Sequence, residues 1–584
     1  MSAPGPVATR REFLAAGVAA AAIPALAMAQ PPAGGGGAAP PAAAPPGAPG
    51  AEGAEGARGG ITPATIAAAE TLVGIEFSES ERALMARSLG QQVARIKRRQ
   101  GASPLENGLA PALTFDPRLP GMEFEREQRA LVRSAAPSPL PEVPAGDEDL
   151  AYAPVRLLSR WIEARKLTSA RLTGVYLERL RRLDSKLKFV VTLTEDLARE
   201  QAAGADAQIA AGKYRGPLHG IPWGAKDLLD TAGIATTWGA EPYAERVPET
   251  DAAVVRRLAE AGAVLVAKTT LGALAMGDVW HGGRTNNPWD VTRGSSGSSA
   301  GSAAAVASGC VGFAIGTETL GSIISPSRAC GSTGLRPTFG RVARTGAMAL
   351  CWSMDKIGPM ARCAEDCALV LAAINGADRG DPGSLDMPLN FDAGRPVKGL
   401  RVGYRAGAFE GRGLAPEHGQ VRQALEGVGC ELVEFSLPQW PFDCLMNILH
   451  CEAAAAFEEL TRSGKDDELK EQGRGAWPNS FRQSWFVPGV ELIQAHRVRR
   501  RCMEMMREKF EGLDAIVDPS NTGPLCLITN STGHPSLTLR IGFGDGGMPV
   551  ATTLIGRLFD EGTIVNLGSA LEGELGVWER RPGV

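Results

Sequence analysis

Residues 292–326 read TRGSSGSSAGSAAAVASGCVGFAIGTETLGSIISP. The stretch opens on a cluster of Gly and Ser and passes through a small-residue segment, SAAAVASG. A short apolar run, VGFAIG, then leads into a second Gly/Ser turn, TETLGS. Small residues predict a tightly packed helix, and the apolar run a buried strand. Two serine-bearing loops joined by such a helix and strand place two hydroxyls close together.

A hydroxyl nucleophile needs a base, and it needs donors aimed at the charge that develops on the attacked carbonyl. Gly321-Ser322 sits in a turn after the strand, where consecutive backbone N–H groups can converge on one point. A second serine nearby can relay a proton, and a lysine kept neutral by burial can accept it. Lys226 is the candidate, because it follows the apolar GIPWGA at the end of an expected strand, with Asp227 beside it. Residue type alone leaves Lys226 as an ordinary surface charge.

Other short patterns carry less. Gly297-x-Ser299-x-Gly301 has the letters of a nucleophile elbow, but an elbow needs a strand immediately before it, and TNNPWDVTRG is loop chemistry. His534 has no marked acidic partner. Gly542-x-Gly544-x-x-Gly547 has the letters of a dinucleotide fingerprint, but VATTLIG follows it as a strand, not a helix, so a hairpin loop is expected. Ser185-x-x-Lys188 lacks the further elements that its penicillin-binding look-alikes carry.

Outward from the central stretch, the chain alternates. From Val155, VRLLSRWIEARKL and SARLTGVYLERLRRLD predict amphipathic helices, with Asp184 and Ser185 as a break. FVVTLT predicts a strand, LAREQAAGADAQIAAG a helix stopping at Gly212, DAAVVRRLAEAG a helix before Gly262, and AVLVAKT a strand. LRVGYR, a helix from Glu417 to Gly429 and CELVEFSL resume the alternation. Residues 440–512 read as mostly helical, a cap over the sheet, and LDAIVDP and VATTLIG restore strands. Repeated helix and strand define an α/β fold.

The 584 residues are 44% apolar and 22% charged, with a net charge of −4. No basic stripe argues for nucleic acid or an anionic membrane. Ten cysteines are too few for a disulfide scaffold, and no Cys/His cluster has metal-ligand spacing. Thr9-Arg10-Arg11-Glu12-Phe13-Leu14, an Ala-rich apolar run and Ala27-Met28-Ala29 have the form of a twin-arginine signal peptide. The expected organisation is therefore a signal peptide (1–29), a Pro/Gly/Ala linker (30–60), a helical and irregular extension (61–150) and a catalytic domain (151–584). Ser78-Glu79-Ser80-Glu81 resembles a capping box at the start of a helix in the extension.

From about Val155 to Asp560 the chain resembles the amidase signature family. The family's block G-G-S-S-G-G-S-A, T-D-x-G-G-S-I-R-x-P and G-L-K-P-T appears as SGSSAGSA, TETLGSIISP and GLRPT. HGIPWGAKD, TNNPWD, NSTGHP and LIGRLFDE match further family segments in the same order. The resemblance implies a large mixed β-sheet core flanked by helices, preceded here by an N-terminal helical extension. It implies a Ser-Ser-Lys triad, with Lys226 as base, Ser298 as relay on a cis peptide and Ser322 as nucleophile. Ser299 is a supporting serine, and the backbone N–H groups of Thr319, Leu320, Gly321 and Ser322 form the oxyanion hole. No metal or organic cofactor is implied.

Four positions depart from the pattern. Ala300 replaces a glycine, Glu318 an aspartate, Leu320 the first glycine of G-G-S and Ile324 an arginine. Leu320 puts a side chain beside the oxyanion hole. Loss of the arginine removes a partner for Glu318, which Arg328 could replace. The family offers an exported amidase acting on linear amides in the periplasm or outside the cell. Such an enzyme would take a small-molecule amide, with no nucleic acid, no stable membrane insertion and a possible homodimer. It also offers an inactive amidase-like binding scaffold and an amidotransferase A-type subunit. The export-like N-terminus, and ALAMG at 273–277 where such subunits tend to carry D-E-F-A-M-G, favour the exported enzyme. Trp440, Phe442, Trp477, Phe481, Trp485 and Phe486 are expected to line an apolar entrance.

Overall fold

Parallel strands buried on both faces organise the molecule. The computed structural model describes residues 60–410, 414–519, 523–577 and 580–584. The signal-peptide reading and all but the last residue of the linker lie outside them. Thirteen strands are defined among the described residues. They are β1 (Val190–Leu193), β2 (Pro222–Lys226), β3 (Val264–Thr269), β4 (Val279–Trp280), β5 (Gly283–Arg284), β6 (Phe313–Glu318), β7 (Thr333–Arg336) and β8 (Lys356–Ala361). The series continues with β9 (Arg401–Arg405), β10 (Glu431–Phe435), β11 (Ala515–Asp518), β12 (Ser536–Phe543) and β13 (Pro549–Gly556). Eleven form one mixed sheet in the order β1-β3-β2-β6-β8-β7-β12-β13-β11-β9-β10, and β4 and β5 pair separately. Helices flank this sheet, so the expected large mixed α/β sheet is what the chain forms.

β2 runs parallel to both β3 and β6, with Trp223 opposite Phe313 and Ala225 opposite Ile315. Their side chains are buried, and the Trp223 and Phe313 rings stack with centroids 6.1 Å apart. Parallel register brings the carboxyl ends of β2 and β6 out side by side, where open α/β sheets place their sites. Lys226 ends β2 and Glu318 ends β6. The small-residue segment forms the helix Ala300–Ala307, buried along most of its length. A Cβ at Gly301 would come within 2.4 Å of Thr270 N, so only glycine permits this approach to the sheet.

The helix Ser169–Leu187 runs straight through Asp184 and Ser185, where the sequence predicts a break. Asp184 instead reaches past the helix end, and its carboxylate accepts from the N–H groups of Phe189 and Val190, both at 2.9 Å. The residue therefore caps the turn into β1 and does not end the helix. Gly544, Gly546 and Gly547 form the β12–β13 hairpin loop, the last two at positive φ, while Gly542 lies within β12 opposite Val550.

In the extension, Pro63–Val73 and Glu79–Gln100 are helices. Ser78 Oγ accepts from Glu81 N at 3.3 Å, and Glu81 Oε2 accepts from Ser78 N at 2.7 Å, which makes a capping box. The second helix buries none of its residues. Residues 440–512 are mostly helical, but they do not supply an aromatic entrance. Trp477 and Phe481 are buried and stacked at 5.0 Å, and Trp477 Nε1 donates to Leu274 O at 2.9 Å. Phe442 is buried too, while Trp440, Trp485 and Phe486 face outward. Amphipathic helices bury one aromatic face as core, and the rest stay at the surface. No helix among the described residues is long and apolar enough to cross a membrane.

Candidate active site

The paired ends of β2 and β6 bring a lysine against three hydroxyls. Lys226 is fully buried; its Nζ lies 2.8 Å from Ser298 Oγ, 3.0 Å from Ser299 Oγ and 2.8 Å from Thr317 Oγ1. Burial lowers the lysine to about 7, against the pull of Asp355 and Glu318 toward the charged form. At neutral pH a large share of it is therefore an amine able to accept a proton. Asp227, its neighbour in sequence, points away. Its carboxylate accepts from Thr237 N and Oγ1 and lies 3.4 Å from the buried Lys268.

The peptide bond before Ser298 is cis. Ser299 ties the two loops together: its Oγ accepts from Thr317 N and donates to Thr317 O, both at 3.1 Å, and its N–H donates to Ser322 O at 3.1 Å. The elbow-like GSSAG is thus the helix entry that holds Ser298 and Ser299. No strand precedes it.

The second loop turns at Gly321, whose φ of +82° favours glycine. Ser322 is nearly buried, and its Oγ makes no hydrogen bond to another described residue. The N–H groups of Leu320, Gly321 and Ser322 are likewise not engaged by described residues, whereas those of Ile323 and Ile324 donate to Glu318 Oε2 at 2.8 and 3.0 Å. Glu318 therefore fixes the turn from behind and leaves its front donors available. Leu320 is half-buried against the apolar core, and Ile324 is buried.

Glu318 does not depend on Arg328, which instead donates to Pro519 O at 3.2 Å. Its partner is Arg336 of β7, at 2.7 Å, with Asn530 Nδ2 adding a hydrogen bond at 2.9 Å. Burial opposes this charge, but Arg336 and Lys356 outweigh it and hold the carboxyl down at about 2. Arg336 and Asn530 lie inside GLRPT and NSTGHP, so the motifs pointed to them without giving their role. Thr317, Asp355 and Lys356 carry no comparable signal. Asp355 Oδ1 accepts from Thr319 Oγ1 at 2.5 Å, and its Oδ2 accepts from the N–H groups of Leu350 and Cys351. Burial pushes Lys356 to about 7, and its Nζ lies 3.5 Å from Thr319 O.

A cavity of about 250 Å³ opens beside this loop, touching it at Thr319 and reaching Thr317, Asp355 and Lys356. His534 is remote in chemistry: its ring is buried, bonded to Thr532 Oγ1 at 2.8 Å and stacked on Phe510. Burial lowers it to about 3.

Such a sheet, with serine and lysine side chains meeting at its strand ends, defines an amidase-type C–N hydrolase. Residues 171–529 match the amidase family model, and the chain belongs to the amidase signature family. It is 34% identical over 476 residues to the A-type subunit of the glutamyl-tRNA(Gln) amidotransferase of Heliobacterium modesticaldum, covering 72% of this chain and 96% of that protein. The protein of the same name from Moorella thermoacetica is 34% identical over 484 residues, covering 74% and 99%. Among solved structures, the peptide amidase of Stenotrophomonas maltophilia superposes with a TM-score of 0.65 at 31% identity, covering 74% of this chain and 98% of that one. An amidase family protein from Bacillus anthracis gives 0.67 at 26% identity, covering 75% and 93%.

These relatives correct the functional expectation. The main reading, an amidase that takes a small-molecule amide, gives way to the amidotransferase A-type alternative, because the curated relatives are named as subunits of an amidotransferase, and nothing in those names supports the signal-peptide, twin-arginine and periplasm readings. The partner expectation of a small-molecule amide, no nucleic acid and a possible homodimer is corrected with it, since those relatives are named as subunits of an enzyme that is itself named for a tRNA. ALAMG misled here. Those residues form a short turn, with Leu274 at φ +50°, anchored by Trp477, and the match to the subunits holds despite the departure.

Proposed function

We propose that this chain is an amidotransferase A-type subunit that cleaves a linear carboxamide and releases its nitrogen for transfer. The contact that carries the proposal is Lys226 Nζ at 2.8 Å from Ser298 Oγ. Neutral Lys226 takes the Ser298 proton as Ser298 takes that of Ser322, and Ser322 Oγ attacks the carbonyl carbon. The N–H groups of residues 319–322 receive the oxyanion. Collapse of the tetrahedral intermediate breaks the C–N bond. The relay returns the proton to the departing nitrogen, which leaves as ammonia from a primary amide. Water then attacks the acyl-enzyme by the same route in reverse.

The names of the relatives support the assignment to an amidotransferase, with glutamyl-tRNA(Gln) as the acceptor they name. The test is to purify the tagged chain with its companion subunits from the cells that encode it, and to supply glutamine and glutamyl-tRNA(Gln). The expected result is amidation of the charged tRNA, lost in Ser322→Ala. Amide cleavage by the lone chain, with no nitrogen transferred by the assembled preparation, would overturn the assignment to an amidotransferase.

A further inference from the structure

The cavity beside Thr319 is not closed by the matched family region alone. Glu106, Gly108 and Ala110, from the arm that follows the helix Glu79–Gln100, line it together with Thr317, Asp355 and Lys356. These residues precede the family match at 171–529 by some sixty positions.

The arm is held by specific bonds. Asn107 Nδ2 donates to Ala349 O at 2.9 Å and to Ala456 O at 3.3 Å, and Asn107 Oδ1 accepts from Ala349 N at 2.8 Å. Trp352 Nε1 donates to Asn107 O at 3.1 Å. One asparagine thus joins the arm to two separate segments of the catalytic domain. On one side Arg99 pairs with Glu458 at 2.6 Å. On the other, Phe115 packs edge-on against Phe339 at 5.1 Å and beneath the buried Arg499, whose guanidinium carbon lies 3.4 Å from the ring centroid. Anchors on both sides make residues 105–110 a fixed span and not a loose tail.

That span carries a single charge, Glu106, whose side chain makes no hydrogen bond or ion pair with a described residue. The other carboxylates of the cavity wall are engaged: Asp381 by Arg344, and Asp355 by Thr319 and two backbone N–H groups. A Cβ placed at Gly108 meets nothing within 4 Å, so a side chain there has room to grow.

We propose that residues 105–110 form a substrate-selecting wall of this cavity, which adjoins the Ser322 loop at Thr319 and the Lys226 contact at Thr317, latched by Asn107, and that the wall admits compact amides and favours those with a positive charge facing Glu106. The proposal rests on the catalytic assignment above. It adds a specificity element outside the family match and gives the extension a function. Freeing the latch widens the cavity; filling the space at Gly108 narrows it.

The test uses the full chain with its companion subunits and compares kcat/KM for primary amides. Size is read from 4-phenylbutanamide against butanamide, and charge from 4-aminobutanamide against pentanamide. Asn107→Ala should raise the large-to-small ratio about tenfold and Gly108→Phe should lower it about tenfold, the range one pocket wall commands. Glu106→Gln should cut the cation preference about threefold to fivefold, as suits an exposed charge. Thermal unfolding identifies any variant that has lost its fold, and the opposite signs at 107 and 108 exclude a general loss of stability as the cause. If Ser322-dependent rates keep both ratios in all three variants, the wall does not select and the proposal fails. If the rates survive Ser322→Ala, the catalytic assignment fails instead.

Discussion

Lys226 Nζ lies 2.8 Å from Ser298 Oγ, in a site from which the lysine side chain reaches no solvent. The contact exists because β2 and β6 run parallel and end together. The helix Ala300–Ala307 is thin enough to seat its first turn against β3 and the strands beside it. A charge at Nζ is disfavoured by burial and favoured by Asp355 and Glu318, and the balance falls at about 7.

That balance fixes a pH dependence. As the base proposed above, Lys226 acts as the neutral amine, so kcat/KM should rise with pH through about 7 and level off above it, with a tenfold loss per pH unit on the acid side. Lys226→Ala should remove that limb along with most of the rate. Lys356 titrates in the same range, so Lys356→Met serves as the control. The limb should persist in it, and a limb that vanished with Lys356 would assign the titration to the wrong lysine.

Arg336→Met should destabilise the fold by about 3–5 kcal/mol, because it leaves the buried Glu318 carboxylate without its cation. The pair also sets an acid limit. Glu318 sits at about 2 in the folded chain against an ordinary 4.5. Its contribution, about 3 kcal/mol, is present above pH 4.5 and is lost as pH falls from 4.5 toward 2. Chemical denaturation of wild type and variant at pH 7 and pH 3 measures both. A gap between the two proteins that does not shrink at pH 3 would show that Glu318 is not the group responsible.

Trp485→Ala should leave the relative rates for aromatic and small aliphatic amides within about twofold. Trp485 faces outward, and the cavity is lined by other residues. A selectivity change larger than that would return the aromatic cap to the substrate path.

The site was legible where chemistry is written in consecutive residues. SGSSAGSA and TETLGSI carry the two loops, and HGIPWGAKD places Lys226 at a strand end. The strands followed from apolar runs between turn residues. Contacts made across long sequence distances were not legible. Arg336 replaces the missing arginine at 324 because β7 lies behind the loop, which no local pattern states. Asp184 looks like a helix stop but bonds to the next strand. Asn107 sits in a Pro-rich arm with no periodicity, and its role depends on Ala349 and Ala456, more than 240 positions away. The functional expectation went astray because it leaned on the N-terminal segment and on ALAMG, neither of which is among the motifs that carry the family match.

The most direct measurement is covalent labelling. A fluorophosphonate probe should attach to one residue, and peptide mass spectrometry should place the adduct on Ser322. Labelling should be slow below pH 7, abolished in Ser322→Ala and strongly reduced in Lys226→Ala and Ser298→Ala. Turnover in Ser322→Ala should fall by at least about 10⁴-fold. An adduct on Ser298 or Ser299, or labelling that survives Ser322→Ala, would contradict the assignment of Ser322 as nucleophile.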